Sequence, residues 1–331
     1  MRMSESDLYP GHGKDLVKDF LFGSSALDPG AERSACKFRY TDKAEGWVGI
    51  PHGGIGMGAL VELSSHLRSG SLSYPFTAEF RMGGRRPAIG DTVHAEAVSA
   101  PGGSKGTISL GPGIPPYMES RLTQGEPDPE KMGPFDAWRP GSYRELEDRL
   151  LPLPFYRNCF VCGRQRSDPG LERRFYALNP EDPAERTRIV VSPVGLDDRN
   201  DSSLFLFRRG RFLHPLVFLA LLDETLGWGG FLASAAGAVT VRIEFNFRRA
   251  VSAGERLVVF GRGEKAKGRA GSRLMFWASG GAAVFGDGGT FETVITASGQ
   301  WYGLPELTDQ LRTELIPADL TRRAFELAGA K

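Results

Sequence analysis

The chain has 331 residues, 40% hydrophobic and 24% charged, a balance that excludes disorder as the default and allows a substantial apolar core. Its 41 Lys and Arg residues nearly equal its 40 Asp and Glu residues, so the net charge of +1 gives no general attraction to nucleic acid or to a membrane surface. We find no hydrophobic signal core near the N-terminus and no apolar run approaching the roughly 20 residues of a membrane span, so we expect a cytoplasmic location.

An internal repeat organises the chain. The motif DPGAER at 28–33 recurs as DPGLER at 168–173, and each copy precedes an alternating, strand-like segment. Two apolar stretches, HGGIGMGALVE at 52–62 and HPLVFLALLDE at 214–224, share a ten-residue spacing from histidine to glutamate and predict one long helix in each half. Because period-two segments follow both helices, each half is predicted to be an α+β unit whose antiparallel strands curl around a single helix.

Composition predicts the boundaries of these units. The first is expected over 14–124 and the second over 151–303, with the Pro- and Gly-rich residues 125–150 forming a linker across the surface. The C-terminal stretch 304–331 is amphipathic, so we expect it to be helical, to pack outside the sheet and to carry no catalytic group.

The start of the first helix has an unusual sequence. Gly53 and Gly54 occupy its first positions, although glycine costs roughly 1 kcal/mol relative to alanine within a helix. Without a Cβ, these residues would let a substrate carbonyl approach the unpaired N–H groups and partial positive charge of the helix N-terminus, which suit an oxyanion. The alternative is that the glycines only permit close packing. His52 before them is typical of a helix cap or a packing group.

Two acidic residues interrupt the second apolar helix. An ionised carboxylate among such neighbours is unfavourable unless it is paired or usefully placed, so we expect Asp223 or Glu224 to point inward. Partial burial would raise its pKa towards the range of a general base that activates water. Glu62 occupies the position in the first helix that matches Glu224, and the simpler interpretation of both glutamates is a polar-face or hydrogen-bonding role.

The three cysteines, Cys36, Cys159 and Cys162, are too few and odd in number for a disulfide framework. Cys159 and Cys162 form a CxxC motif, but no second CxxC or HxxxH accompanies it as a zinc site would require. We therefore expect structural thiols and no metal site, with a redox or metal role as the alternative.

Together these motifs resemble the hotdog fold, specifically a tandem or double hotdog. In thioesterases of the HGG type, the acid follows the histidine by nine residues, and that count leads from His214 to Asp223 but from His52 only to Val61. The active site of that family lies between two hotdog units. The resemblance thus implies one composite site, in which His52, Gly53 and Gly54 come from the first half and Asp223 from the second.

The resemblance implies an acyl thioester hydrolase acting on an acyl-CoA or an acyl-carrier protein, with no other cofactor and no nucleic-acid partner. One alternative is a 3-hydroxyacyl thioester dehydratase or enoyl hydratase that uses His52 and Asp223. Its HxxxGxxxxP pattern is matched at His52 and Gly56, but Val61 replaces the proline. The other is a non-catalytic acyl-thioester binding protein. Exposed sheet edges could also pair two chains in a homodimer.

Two pairs of arginines, Arg85 with Arg86 and Arg248 with Arg249, occupy strand ends in corresponding parts of the repeat. Guanidinium groups at such positions could bind the phosphates of coenzyme A or of a phosphopantetheine arm. Solvated strand ends are the alternative interpretation.

Overall fold

The computed structural model describes residues 16–67, 73–83, 85–127, 148–179, 188–194, 203–268, 274–285 and 291–329. Most of the predicted linker at 125–150 lies outside these ranges.

The first half begins with a short helix and contains one long buried helix among eight strands. Its elements are α1 (Leu16–Phe22), β1 (Leu27–Pro29), β2 (Arg33–Arg39), β3 (Glu45–Trp47), β4 (Ile50–Pro51), α2 (Gly53–Ser65), β5 (Phe76–Met82), β6 (Thr92–Ala100), β7 (Gly103–Ser109) and β8 (Met118–Gln124).

The second half repeats this plan and ends in two further helices. Its elements are β9 (Leu150–Pro152), β10 (Tyr176–Leu178), β11 (Ile189–Val194), β12 (Arg208–Arg209), β13 (Phe212–Leu213), α3 (Pro215–Ser234), β14 (Ala238–Phe247), β15 (Leu257–Lys267), β16 (Leu274–Phe285), β17 (Phe291–Gly303), α4 (Pro305–Glu314) and α5 (Ala318–Leu327).

Thirteen of the described strands form one continuous antiparallel sheet in the order β1-β2-β6-β7-β8-β5-β14-β17-β16-β15-β11-β10-β9. The halves meet where β5 pairs with β14, with Phe80 opposite Ile243. The rings of Phe76 and Phe247 stack across this junction, with their centroids 4.6 Å apart. The α+β architecture and the duplicated order of strand, helix and antiparallel strands are confirmed.

The two long helices contact each other on the inner face of the sheet. They approach closely because Gly54 of α2 lies against Ala220 of α3, where a Cβ on Gly54 would fall 2.5 Å from the Ala220 Cα. Gly54 therefore permits the close approach of α2 and α3.

Helix α3 contradicts the expectation that no segment could span a membrane. Its 20 residues are long and apolar enough to do so, but 78% of the most apolar window is buried within the protein. Its composition is accounted for by its position between α2 and the strands of the second half, where an apolar surface is required on all sides.

The C-terminal stretch is helical, as predicted, but it is divided at Leu315 and Pro317 into α4 and α5. Phe325 of α5 packs edge-on against Phe231 of α3, with centroids 4.9 Å apart. On α4, Gln310 accepts a hydrogen bond from the Trp47 indole of the first half at 2.9 Å. The C-terminal extension therefore contacts both halves: α5 packs on α3 of the second half, and α4 is hydrogen-bonded to the first half.

Candidate active site

A cavity of about 290 Å³ lies between the halves, at the start of α2. Its walls are mainly apolar and include residues from both halves. Leu307, Leu311 and Leu315 of the C-terminal extension also line it, which was not predicted. Further lining residues are His52, Gly53, Asp223, Glu224, Cys159, Cys162, Tyr40, Tyr117, Trp228, Phe231 and Trp301.

His52 caps the N-terminus of α2. Its Nδ1 accepts a hydrogen bond from the Gly54 N–H at 3.0 Å, so this nitrogen carries no proton. The other ring nitrogen, Nε2, is left to carry the proton and lies 3.3 Å from Glu224 Oε2. The cap thus fixes the tautomer of a buried histidine and directs its N–H at an acid from the other half.

Asp223 lies at the same helix start. Its Oδ1 accepts a hydrogen bond from the Thr240 hydroxyl at 2.7 Å, and its Oδ2 is 4.0 Å from His52 Nδ1. Burial raises the pKa of Asp223, although His52 and Thr240 oppose this effect. Because Nδ1 is unprotonated, this contact is not an ion pair, and Asp223 faces the cavity as a buried carboxylate.

The two glycines differ in their surroundings. A Cβ on Gly53 would lie 2.8 Å from Asp223 Oδ2, so the absence of a side chain lets the carboxylate approach the helix start. Gly54 packs against α3, and its N–H is already bonded to His52. The N–H of Gly53, in the first turn of the helix, has no partner within the helix. Of the two predicted oxyanion donors, Gly53 is the one whose surroundings suit the role.

Glu224 also reaches the site, together with both cysteines of the CxxC motif. Its Oε2 accepts a hydrogen bond from the Cys159 thiol at 3.1 Å. The Cys162 thiol interacts with Cys159 and Glu224, and burial is the main cause that raises the pKa of both thiols. Chain order alone did not reveal these neighbours. The one available signal was that the CxxC directly precedes the second copy of the repeat motif.

The reciprocal position, at the start of α3, is occupied by a buried cluster of charged side chains around Glu62. Glu62 is fully buried, and its carboxylate contacts His214 Nε2 at 3.1 Å, Arg209 at 2.7 Å and His66 at 3.0 Å. Burial alone would raise the pKa of Glu62, but His214 and Arg209 outweigh burial and lower it to about 2. Of the two roles that the sequence allowed for Glu62, the structure shows the hydrogen-bonding one, because the residue is buried and paired with His214 and Arg209. Val61 leaves this position without a counterpart of Asp223.

The arginine pairs occupy different surroundings. Arg86 is exposed and lines the cavity, and Arg85 is exposed beside it. Arg249 pairs with Glu255 and Glu292 at 2.8 Å, and Arg248 contacts a backbone carbonyl of the same region. The structure does not bring Arg248 or Arg249 to the cavity, because strand-end ion pairs hold Arg249 elsewhere.

The fold and the paired helix starts define a double hotdog protein, as the sequence motifs predicted. The chain is similar in structure to a candidate thioesterase from Novosphingobium aromaticivorans, with a TM-score of 0.52 and 13% identity over 84% of this chain and 98% of that one. It is also similar to a candidate thioesterase II from Thermobifida fusca, with a TM-score of 0.51 and 13% identity over 86% and 98% of the two chains. No protein-family model matches the sequence, and no curated protein matches it.

Proposed function

We propose that the protein is an acyl thioester hydrolase with one composite active site. The observation that supports this proposal is the position of Asp223. This carboxylate belongs to the second half but lies within 2.8 Å of the Cβ position of Gly53, at the helix start of the first half. An acid and a helix N-terminus that face one cavity supply the two elements that acyl transfer to water requires.

In the proposed reaction, the thioester carbonyl oxygen accepts a hydrogen bond from the Gly53 N–H. Asp223 removes a proton from a water molecule, and the oxygen of that water attacks the carbonyl carbon. The tetrahedral intermediate carries its negative charge at the helix start. It then collapses, the C–S bond breaks, and the proton held by Asp223 passes to the leaving sulfur. The products are a carboxylic acid and a free thiol.

The cavity also indicates a class of substrate. Trp228, Phe231 and Trp301 provide apolar and aromatic surface for an acyl group. Arg86 lies where that cavity meets solvent and would contact the phosphate of a phosphopantetheine arm, which coenzyme A and acyl-carrier proteins share. We therefore propose acyl-CoA or acyl-carrier-protein substrates, with Arg85 assisting at the entrance.

Asp223→Asn tests the proposal. The amide oxygen can still accept the Thr240 hydrogen bond, so we expect the fold to be retained. Loss of the base should lower the rate of thiol release from a panel of acyl-CoAs by about 100-fold to 10,000-fold. The matched control is Glu62→Gln, which neutralises an acid at the reciprocal helix start and should leave the rate unchanged. A wild-type rate that Asp223→Asn does not reduce would refute the proposed role.

A dehydratase is the second candidate, because His52 and Asp223 face each other from opposite halves at 4.0 Å. Such an enzyme would move protons between C2 and C3 of a 3-hydroxyacyl thioester without releasing thiol. The same samples can therefore be assayed for hydration of an enoyl-CoA. Hydration without thiol release would favour the dehydratase, and neither reaction would favour an acyl-thioester binding protein.

A further inference from the structure

We propose that Cys159, Cys162, His52 and Glu224 form a zinc site that joins the two halves at the cavity wall. The donors are two thiols, an imidazole and a carboxylate, a set that zinc binds in tetrahedral sites. Three of them come from the second half and one from the first. The site is independent of the proposed hydrolase activity, since metal binding can be measured without a substrate.

Two of the distances between donor atoms are close to those of a tetrahedral site. Glu224 Oε2 is 3.3 Å from His52 Nε2 and 3.1 Å from Cys159 Sγ, and the three donor atoms lie within 4.8 Å of one another. Zinc–ligand bonds of about 2.0–2.3 Å give tetrahedral edges of about 3.4 Å between N and O and about 3.6 Å between S and O. Changes of about half an ångström or less would bring these two pairs of atoms to tetrahedral separations.

The turn that carries the two cysteines supports a thiolate. The Val161 N–H donates to Cys159 Sγ at 3.3 Å, and the Gly163 N–H closes the turn on the Cys159 carbonyl at 2.8 Å. A Cβ on Gly163 would lie 2.4 Å from that carbonyl oxygen, so the turn requires glycine there. A tight turn that donates an N–H group to the Cys159 sulfur stabilises the thiolate form of that cysteine.

A guanidinium beside the cluster favours the thiolate form of both cysteines. Arg166 is held by the carbonyls of Asn158 and Lys43, and its positive charge acts on both cysteines, so it offsets part of the charge of two thiolates. Binding would release the protons of both thiols and replace the hydrogen bond that Cys159 donates to Glu224. It would also require the His52 ring proton to move from Nε2 to Nδ1, so the cap from the Gly54 N–H would be given up and Nδ1–H would face Asp223 Oδ2, 4.0 Å away.

The reciprocal position provides an internal comparison. There the same glutamate and histidine, Glu62 and His214, are joined by the guanidinium of Arg209 at 2.7 Å. At the candidate zinc site, no Lys or Arg of the described residues makes an ion pair with Glu224, and two cysteine sulfurs surround the same carboxylate. A fixed cation therefore completes the pair in one half, and we infer that a bound cation completes it in the other.

The test is the metal content of the full chain. We expect about one zinc ion per chain after exposure to zinc and removal of weakly bound metal with a competing chelator. Replacement by Co²⁺ should give the absorption bands of tetrahedral cobalt with sulfur-to-cobalt charge transfer. Cys159→Ser should weaken zinc binding at least 10-fold, whereas Cys36→Ser, at a buried cysteine remote from the site, should not.

Two results would overturn the proposal. One is a wild-type chain that retains no zinc against the chelator and gives no sulfur-to-cobalt band, a measurement that does not depend on any variant folding. The other is zinc affinity that is equal in the wild type and a Cys159→Ser, Cys162→Ser double variant. Glu62→Gln is a further control, because it alters the reciprocal cluster and should leave zinc binding intact.

Discussion

Substituting alanine separately at Gly53 and Gly54 would distinguish chemistry from packing at the helix start. A Cβ on Gly53 would meet the end of a side chain, Asp223 Oδ2, at 2.8 Å. A Cβ on Gly54 would meet the backbone of the opposing helix, with the Ala220 Cα at 2.5 Å. The same substitution at adjacent positions is therefore expected to have two different effects.

For Gly53→Ala, the carboxylate must move by about 0.6 Å to restore an ordinary contact of 3.4 Å. Alanine is favoured over glycine by roughly 1 kcal/mol in a helix, which offsets most of the strain, so we expect the fold to remain stable. Displacement of a reacting group by about 1 Å can lower a rate 100-fold. Thiol release should therefore fall by about 30-fold to 100-fold.

For Gly54→Ala, α2 and α3 must separate by about 0.9 Å to reach the same contact distance. Overpacking of this kind typically costs 1–3 kcal/mol, and the involvement of backbone puts the expected value near 3 kcal/mol. The corresponding fall in Tm is about 5–10 °C.

Thiol release from an acyl-CoA and thermal unfolding, measured on both variants, check this reasoning. We expect Gly53→Ala to release thiol slowly while keeping the wild-type Tm. We expect Gly54→Ala to have a lower Tm, with the protein that remains folded still active. A Gly53→Ala variant with the wild-type rate would show that the separation of Asp223 from the helix start does not matter for the reaction.

Three further predictions concern groups around the cavity. The pKa of Glu62 is lowered to about 2, so its stabilising effect is present above its ordinary pKa of 4.5 and is lost as the pH falls towards 2. The unfolding free energy measured in urea should thus drop by about 2 kcal/mol through this group between about pH 6 and pH 3, and Glu62→Gln should abolish that component. Arg86→Ala should raise KM for acyl-CoA about 5-fold with little change in kcat, and equal effects from Arg248→Ala in steady-state assays would contradict the assignment of the entrance. Thr240→Val removes the hydrogen bond that orients Asp223 and should lower kcat about 10-fold with an unchanged far-ultraviolet spectrum; an unchanged kcat would mean that packing alone orients the carboxylate.

Local pattern was sufficient for most of the architecture. The ten-residue spacing from His52 to Glu62 and from His214 to Glu224 identified two equivalent helices, because each position depends on the same 3.6-residue period and the same cap. Alternation along the strands after each helix predicted the antiparallel sheets. The helix caps could also be predicted from the sequence, because each one is local: the histidine side chain accepts a hydrogen bond from the N–H of the residue two positions later in the chain.

The tertiary structure decided which side chains that are distant in the sequence come into contact. Burial and partners, not spacing, distinguish Glu62, neutralised by Arg209, from Glu224, which lies beside Cys159 and His52. These contacts join residues from 65 to 172 positions apart, and their geometry depends on how two helices cross. The sequence by itself determined the duplicated fold, because that fold depends on local periodicity and residue type. The residue pattern left Asp223 and Glu224 as candidate acids, and the resemblance to the HGG-type thioesterases selected Asp223. Only the folded chain brought the CxxC motif and the C-terminal helices to the cavity, since side chains converge in space only after the two halves have packed together.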